Sequence, residues 1–133
     1  MTPNTAANAA ALWAGLHLIL LLVLSVRVIR QRRKHDVAIG DGGVPALECA
    51  IRAFGNATEY VPTALIGVGI LAFAGAPPLL IHPIGVVLFA GRVLHAVGLS
   101  RSSGVSWPRT AGVLATWIAY VAAAAALIFY AVP

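Results

Sequence analysis

Acidic residues and cysteine are both scarce in this sequence. Its 133 residues include only four Asp and Glu and a single cysteine, Cys49. One cysteine excludes an internal disulfide framework and a metal site built from several thiolates, and we predict no metal. Charged residues make up only 10% of the chain, whereas 60% of it is hydrophobic. This composition is too apolar for a soluble domain and predicts an integral membrane protein.

The few charges are mostly positive, with nine Lys and Arg and a net charge of +5. Such a balance can indicate nucleic-acid binding, but many of the bases cluster where the first apolar run ends. These are Arg27, Arg30, Arg32, Arg33 and Lys34. Basic clusters beside a membrane span are typical topology signals that face anionic lipid. We therefore expect the lipid bilayer, and no nucleic acid, as the partner of these charges.

Four apolar segments fit this length, since a helix needs about 20 residues to cross a bilayer. We predict an all-α fold, an integral membrane four-helix bundle in one domain over residues 1–133. The four transmembrane helices are predicted at approximately residues 9–30, 46–74, 79–99 and 109–132. Bases rather than a cleavage site follow the first apolar run, so we expect the first helix to be retained. The second helix is about 43 Å long at 1.5 Å per residue, so its first part should project from the bilayer.

The two basic links orient the bundle. One follows the first span and the other, with Arg101, follows the third. The positive-inside rule places both links in the cytoplasm. Both termini and the Pro77-Pro78 turn are then predicted on the other side of the membrane.

The second span carries an unusual polar stripe. Arg52, Asn56 and Glu59 are spaced four and three apart, and Glu48 lies one turn earlier, so a helix places them along one face. Polar side chains make membrane insertion less favourable, which makes these residues candidates for a functional site.

The polar residues of the other spans reach a similar height. At about 1.5 Å per residue, several lie about 20–25 Å from the non-cytoplasmic ends of their helices. These are Arg27, Glu59, Arg92 and His95, with Arg109 at the cytoplasmic start of the fourth span. One interpretation is an ion-pair clasp of Arg52, Glu59 and Arg92 that holds the bundle together. However, arginines outnumber acids in this layer, which favours a cytoplasm-facing pocket for a small carboxylate ligand.

Two motifs carry a resemblance to a known family. The chain reads Arg52-x-x-x-Asn56-x-x-Glu59-Tyr60-x-Pro62 and later Gly91-Arg92-x-x-His95-Ala-x-Gly98-Leu99. This pattern resembles the MAPEG family, the membrane-associated proteins of eicosanoid and glutathione metabolism, over nearly the whole chain. The Gly-Asp-Gly-Gly run at 40–43 is similar to its bacterial branch. The resemblance implies a homotrimer in a bacterial inner membrane, with glutathione bound between subunits near the cytoplasmic side.

The resemblance also implies roles for individual residues. The implied glutathione-binding residues are Arg30 (or Arg27), Arg52, Asn56, Glu59, Tyr60 and Arg92. The implied catalytic residues are Arg109, which would activate the thiol, and His95, with Arg101 as an alternative to Arg109. The implied function is a membrane-bound glutathione-dependent transferase or peroxidase that acts on hydrophobic electrophiles or lipid hydroperoxides, its thiolate stabilised by arginines.

Two departures from the family pattern keep other functions open. Leu99 stands where eukaryotic enzymes of the family carry a tyrosine, and Cys49 stands where they tend to carry a base. One alternative is a non-catalytic protein of this type that binds a lipid or another thiol between subunits. Another is a small proton-coupled exporter built on Glu59, although one acid among several arginines suits cation transport poorly.

Overall fold

A computed structural model describes residues 5–101 and 104–132 of the chain. Within these residues the chain forms four helices and no strand. They are α1 (Thr5–His35), α2 (Pro45–Phe73), α3 (Pro78–Arg101) and α4 (Trp107–Ala131). The prediction of an all-α four-helix fold is confirmed. Residues 1–4 of the uncharged N-terminus and residues 102–103 of the second basic link lie outside the described residues.

Three of the helices, α1, α3 and α4, are long and apolar enough to cross a membrane. Helix α2 does not reach that apolarity, because its first half contains the polar stripe from Glu48 to Glu59. The chain is therefore an integral membrane protein whose second helix lacks an apolar stretch equal to those of the other three. The bilayer limits of each span stay a prediction.

Helix α1 extends further than the apolar pattern indicates, through the basic cluster to His35. Gln, Arg and Lys favour helix, and cations in a last turn interact favourably with the helix dipole. Asp36, with φ +53°, follows the last helical residue. The Arg32 guanidinium donates to three carbonyls of the following loop, those of Val37, Ala38 and Gly40, at 3.3, 3.2 and 2.9 Å. This holds the loop against the end of α1.

The turn between α2 and α3 begins before the two prolines. Gly75 adopts φ +84°, a left-handed conformation that glycine reaches at little cost. The Ala76 N–H donates to the Leu71 carbonyl at 3.0 Å, and the Gly75 N–H donates to the Ala72 carbonyl at 3.3 Å. This is the Schellman arrangement, which satisfies the last carbonyls of α2. Pro78 then occupies the first position of α3.

Helices α3 and α4 are in the closest contact, because glycine faces glycine between them. A Cβ atom built on Gly91 would lie 3.0 Å from the Gly112 carbonyl oxygen and from the Thr116 nitrogen. A Cβ atom built on Gly112 would collide with the backbone of His95 and with the Gly91 carbonyl. Small residues allow this approach of two backbones within a membrane, and they place Thr116 beside Arg92.

Apolar contacts divide into two clusters along the bundle. The larger one occupies the predicted non-cytoplasmic half around Trp13, Leu71 and Leu88. The smaller one, around Leu24 and Ala53, lies toward the predicted cytoplasmic end. Along α2 and α3, Tyr60, Arg92 and His95 lie between the residues of the two clusters. The fold therefore places the polar layer where neither apolar cluster extends.

Candidate functional site

The centre of the site is the guanidinium of Arg92, which is only 1% exposed. Its Nη2 donates to Oδ1 of Asn56 at 2.7 Å and to Nδ1 of His95 at 3.0 Å. Its Nη1 donates to Oγ1 of Thr116 at 3.5 Å. The guanidinium carbon lies 5.2 Å from the centroid of the Tyr60 ring, within the range of a cation–π interaction. We call Asn56, Tyr60, Arg92, His95 and Thr116 the Arg92 cluster.

Hydrogen-bonding chemistry determines how the partners of Arg92 are oriented. Because a guanidinium can only donate, His95 accepts through Nδ1, and its neutral ring carries the proton on Nε2. The Thr116 hydroxyl donates to the Gly112 carbonyl at 2.8 Å, so its lone pairs face Arg92. Three helices thus converge on one cation through acceptors that are all uncharged.

Within the described residues no carboxylate pairs with Arg92, and its Nε is buried without a hydrogen-bond partner. The ion-pair clasp considered for Arg52, Glu59 and Arg92 therefore does not form within this part of one chain. Glu59 and Arg52 are both exposed on the surface of α2. An unpaired buried cation costs free energy unless an anion approaches it, which makes this cluster a candidate anion site.

The polar stripe of α2 follows the border between the buried and exposed faces of that helix. Asn56 and Tyr60 turn inward to Arg92, whereas Glu48, Arg52 and Glu59 are exposed. Small buried residues, Ala53 and Ala57 among them, form the neighbouring face against the bundle. Of the predicted stripe, however, one chain brings only Asn56 into contact with Arg92.

A second element of the site is a cleft of about 140 Å³ at the predicted cytoplasmic end of the bundle. Its lining residues are Glu48, Cys49, Arg52, Leu99 and Arg109. Gly98 allows the start of α4 to lie against α3, since a Cβ there would collide with the Arg109 backbone. The half-buried Arg109 also donates to the Gly104 carbonyl at 3.4 Å. The cleft thus combines two arginines, one thiol and one exposed acid.

The arginines at the end of α1 differ in their surroundings. Nη2 of Arg27 donates to the Ser100 carbonyl at 3.1 Å, which caps the end of α3. Arg30 is exposed and borders a groove of about 570 Å³ on the outer face of α1 with Leu22, Val23 and Val26. Arg27 therefore has a structural partner within the chain, and Arg30 is the arginine turned outward. Arg101 is also exposed.

Two residues of the site are absent from the sequence-based prediction. Thr116 is fully buried and contacts Arg92 directly. Tyr120 lies one turn further along α4, and its ring meets that of Tyr60 edge to face at 5.9 Å. The available signal was the i, i+4, i+8 spacing of Gly112, Thr116 and Tyr120 on an otherwise apolar helix. That spacing places the three on one face.

The fold and the site together define a class of protein, namely an α-helical membrane bundle with a buried arginine between its second, third and fourth helices. The sequence from residue 10 to residue 129 matches the model of the MAPEG family. This chain belongs to the MAPEG family. The resemblance drawn from its two motifs is thereby confirmed.

Curated relatives agree with this assignment. The chain is 39% identical over 121 residues to "Inner membrane protein YecN" of Escherichia coli (strain K12), covering 91% of each chain. The protein of that name from the O6:H1 strain CFT073 has the same identity and coverage. Both matches extend over nearly the full length of the bundle.

Proposed function

We propose that this chain binds glutathione beside the Arg92 cluster and uses it as a thiol co-substrate in the inner membrane. The reaction would be a transferase or peroxidase reaction with a hydrophobic electrophile or a lipid hydroperoxide. The observation that carries the proposal is the buried Arg92 guanidinium, whose partners among the described residues are all uncharged. Glutathione, with two carboxylates, supplies the negative charge that this cation lacks.

The exposed charges support a site shared between copies of the chain. Arg30 on α1 and Arg52 and Glu59 on α2 are exposed at the surface of their own bundle, and Arg52 also lines the cleft. A neighbouring copy would bring such outward charges together beside Asn56 and Tyr60, as in the homotrimer we propose. Arginines bind carboxylates in bidentate fashion, and Glu59 suits the ammonium of the tripeptide. Both termini lie on the non-cytoplasmic side in this proposal, and the basic loops lie in the cytoplasm.

Activation of the thiol is assigned to Arg109. A thiol of pKa about 8.5 is mostly protonated at neutral pH, and only the thiolate is nucleophilic. Lowering its pKa by two units takes about 2.7 kcal/mol of preferential interaction with the anion. A guanidinium in a poorly hydrated cleft can supply this, and Arg52 lines the same cleft. His95 would act on the reaction through Arg92, whose guanidinium it contacts.

Removing the outward charges is expected to weaken glutathione binding. Arg52→Ala removes a cation and Glu59→Gln removes the partner of the ammonium, so we expect each to lower affinity at least about tenfold, since hydrogen bonds to charged groups contribute about 1.5–3 kcal/mol. Isothermal titration on the assembled protein in detergent measures this. Arg33→Ala, which removes an exposed base of α1 outside the cleft, is the matched control. Unchanged affinity in both variants, in protein that still assembles, would refute the proposal.

Thiolate formation separates the enzyme from a non-catalytic binder. Leu99 lines the cleft, and among the described residues no hydroxyl lines it with the arginines, which favours the second candidate, a protein that binds a thiol or a lipid without activating it. For the enzyme we expect a stable rise in ultraviolet thiolate absorbance when glutathione is added, lost in Arg109→Ala. Binding without any such rise would support the non-catalytic candidate.

A further inference from the structure

His17 is a fully buried histidine on α1 that the proposed reaction leaves without a role. Its Nδ1 lies 2.7 Å from the Trp13 carbonyl oxygen. Because a carbonyl oxygen only accepts, Nδ1 carries the proton of the neutral ring, and Nε2 is left with a lone pair. This Nε2 is buried, and none of the described residues donates a hydrogen bond to it. His17 therefore presents an unused hydrogen-bond acceptor to the interior of the bundle.

The packing of α1 against α3 brings His17 close to Arg92. The His17 ring meets the Phe89 ring edge to face at 5.3 Å, and Phe89 lies one turn before Arg92 on α3. A turn earlier, the Trp13 ring lies directly on Gly85, where a Cβ atom would collide with it. Side chains of a helix lean toward its N-terminus, so the side chain of Arg92 extends toward the turn that contains Phe89. The guanidinium charge acts electrostatically on the His17 ring.

The Nε–H group of Arg92 is the chemical counterpart of this acceptor. Helices α2, α3 and α4 supply the acceptors for Nη1 and Nη2, whereas Nε is buried with no acceptor among the described residues. Of the described polar residues that are fully buried, His17 is the one on α1. A buried donor and a buried acceptor that stay unpaired cost about 1–3 kcal/mol each. The helix that gives Arg92 no direct partner thus carries the unused acceptor.

We propose that a water molecule bound between α1 and α3 joins these two groups, and that His17 thereby positions the Arg92 guanidinium. The water oxygen accepts from Nε–H of Arg92, and one water proton is donated to Nε2 of His17. Water suits this pair because it both accepts and donates, and a buried water that bridges two polar groups is nearly as favourable as a direct hydrogen bond. All four helices then hold the guanidinium. Only the consequence for glutathione affinity rests on the proposed function.

Nuclear magnetic resonance of the protein in detergent, without glutathione, tests the water directly. The Nε–H signal of Arg92 is assigned by its absence in Arg92→Lys. We expect magnetisation transfer from water to this proton in the wild type, because the bound water lies within hydrogen-bond distance of it. Comparison of laboratory-frame and rotating-frame cross-relaxation separates a bound water from proton exchange with the solvent. A wild-type spectrum without transfer from a bound water overturns the proposal.

Two substitutions separate the roles of the two ring nitrogens of His17. His17→Gln keeps an amide oxygen near the position of Nε2, whereas His17→Asn keeps a polar group only near the position of Nδ1. We expect the transfer from bound water to persist in His17→Gln and to be lost in His17→Asn. Glutathione affinity should then fall about fivefold in His17→Asn, as the loss of one neutral hydrogen bond gives, and recover in His17→Gln. His35→Asn, at the exposed end of α1, is the control and should behave as wild type.

Equal transfer from bound water in wild type and His17→Asn also overturns the proposal. Loss of the transfer in His17→Asn with unchanged glutathione affinity would contradict the positioning role. If His17→Asn does not fold, the wild-type spectrum still decides whether the water is bound. Because the spectra are recorded without glutathione, a failure here is distinguishable from a failure of the proposed function, which Arg52→Ala and Glu59→Gln test.

Discussion

Gly112→Ala is expected to destabilise the protein strongly, because glycine at this position allows the backbones of α3 and α4 to touch. Its Cβ would meet the backbone of His95 and the Gly91 carbonyl, and neither can move without separating the two helices. Overpacking of this kind typically costs about 1–3 kcal/mol. Thermal unfolding in detergent should show a transition several degrees lower. Separation of α3 from α4 should also move Thr116 away from Arg92, so glutathione affinity should fall in parallel.

Gly69→Ala on α2 is the matched control for this change. A Cβ atom at that position meets nothing within 4 Å. Replacing a helical glycine by alanine where there is space stabilises a helix by up to about 1 kcal/mol. Equal thermal unfolding temperatures for the two variants would show that the α3–α4 contact does not limit the stability of the bundle.

Asn56→Asp is expected to abolish glutathione binding without unfolding the protein. The two side chains have the same shape, but the aspartate would place a negative charge where Asn56 now lies 2.7 Å from Nη2 of Arg92. At 4 Å and an effective dielectric constant of 20, such a pair attracts by about 4 kcal/mol. The bound ligand anion would have to compete with this internal partner. We expect at least about a hundredfold loss of affinity, since each 1.4 kcal/mol is a factor of ten.

The same variant distinguishes an anion site from a purely structural cluster. If Arg92 only joins three helices, it binds no ligand anion. The added carboxylate would then pair with Arg92 without any loss of ligand binding. If Arg92 binds a ligand anion, the temperature of thermal unfolding should stay the same or rise, whereas titration should show the loss of glutathione affinity. Asn8→Asp on the exposed first part of α1 adds the same charge far from the cluster and should change neither quantity. Retained glutathione affinity in Asn56→Asp would contradict the role assigned to Arg92.

Much of the fold and part of the candidate site of this protein could be predicted from its sequence. The long apolar segments must form helices, since the backbone must satisfy its hydrogen bonds internally in lipid. The scarcity of charged residues indicates that the chain lies in a membrane. Helical spacing predicted that Asn56 lies with Arg52 and Glu59 along one stripe, and residue counting predicted that Arg92 and His95 reach a similar height. These inferences need only the helix period and rise, which every helix shares.

Only the tertiary structure decided which of these residues meet. The rotation of α2 about its own axis turns Asn56 toward Arg92 and leaves Glu59 exposed, a difference that sequence spacing alone does not resolve. The glycine contact between α3 and α4 sets the distance at which Thr116 can accept from Arg92. Arg27 and Arg30 are one turn apart in sequence terms, yet only Arg27 reaches the end of α3. Side-chain partners depend on how helices rotate and approach each other, and that is fixed by packing across the whole bundle.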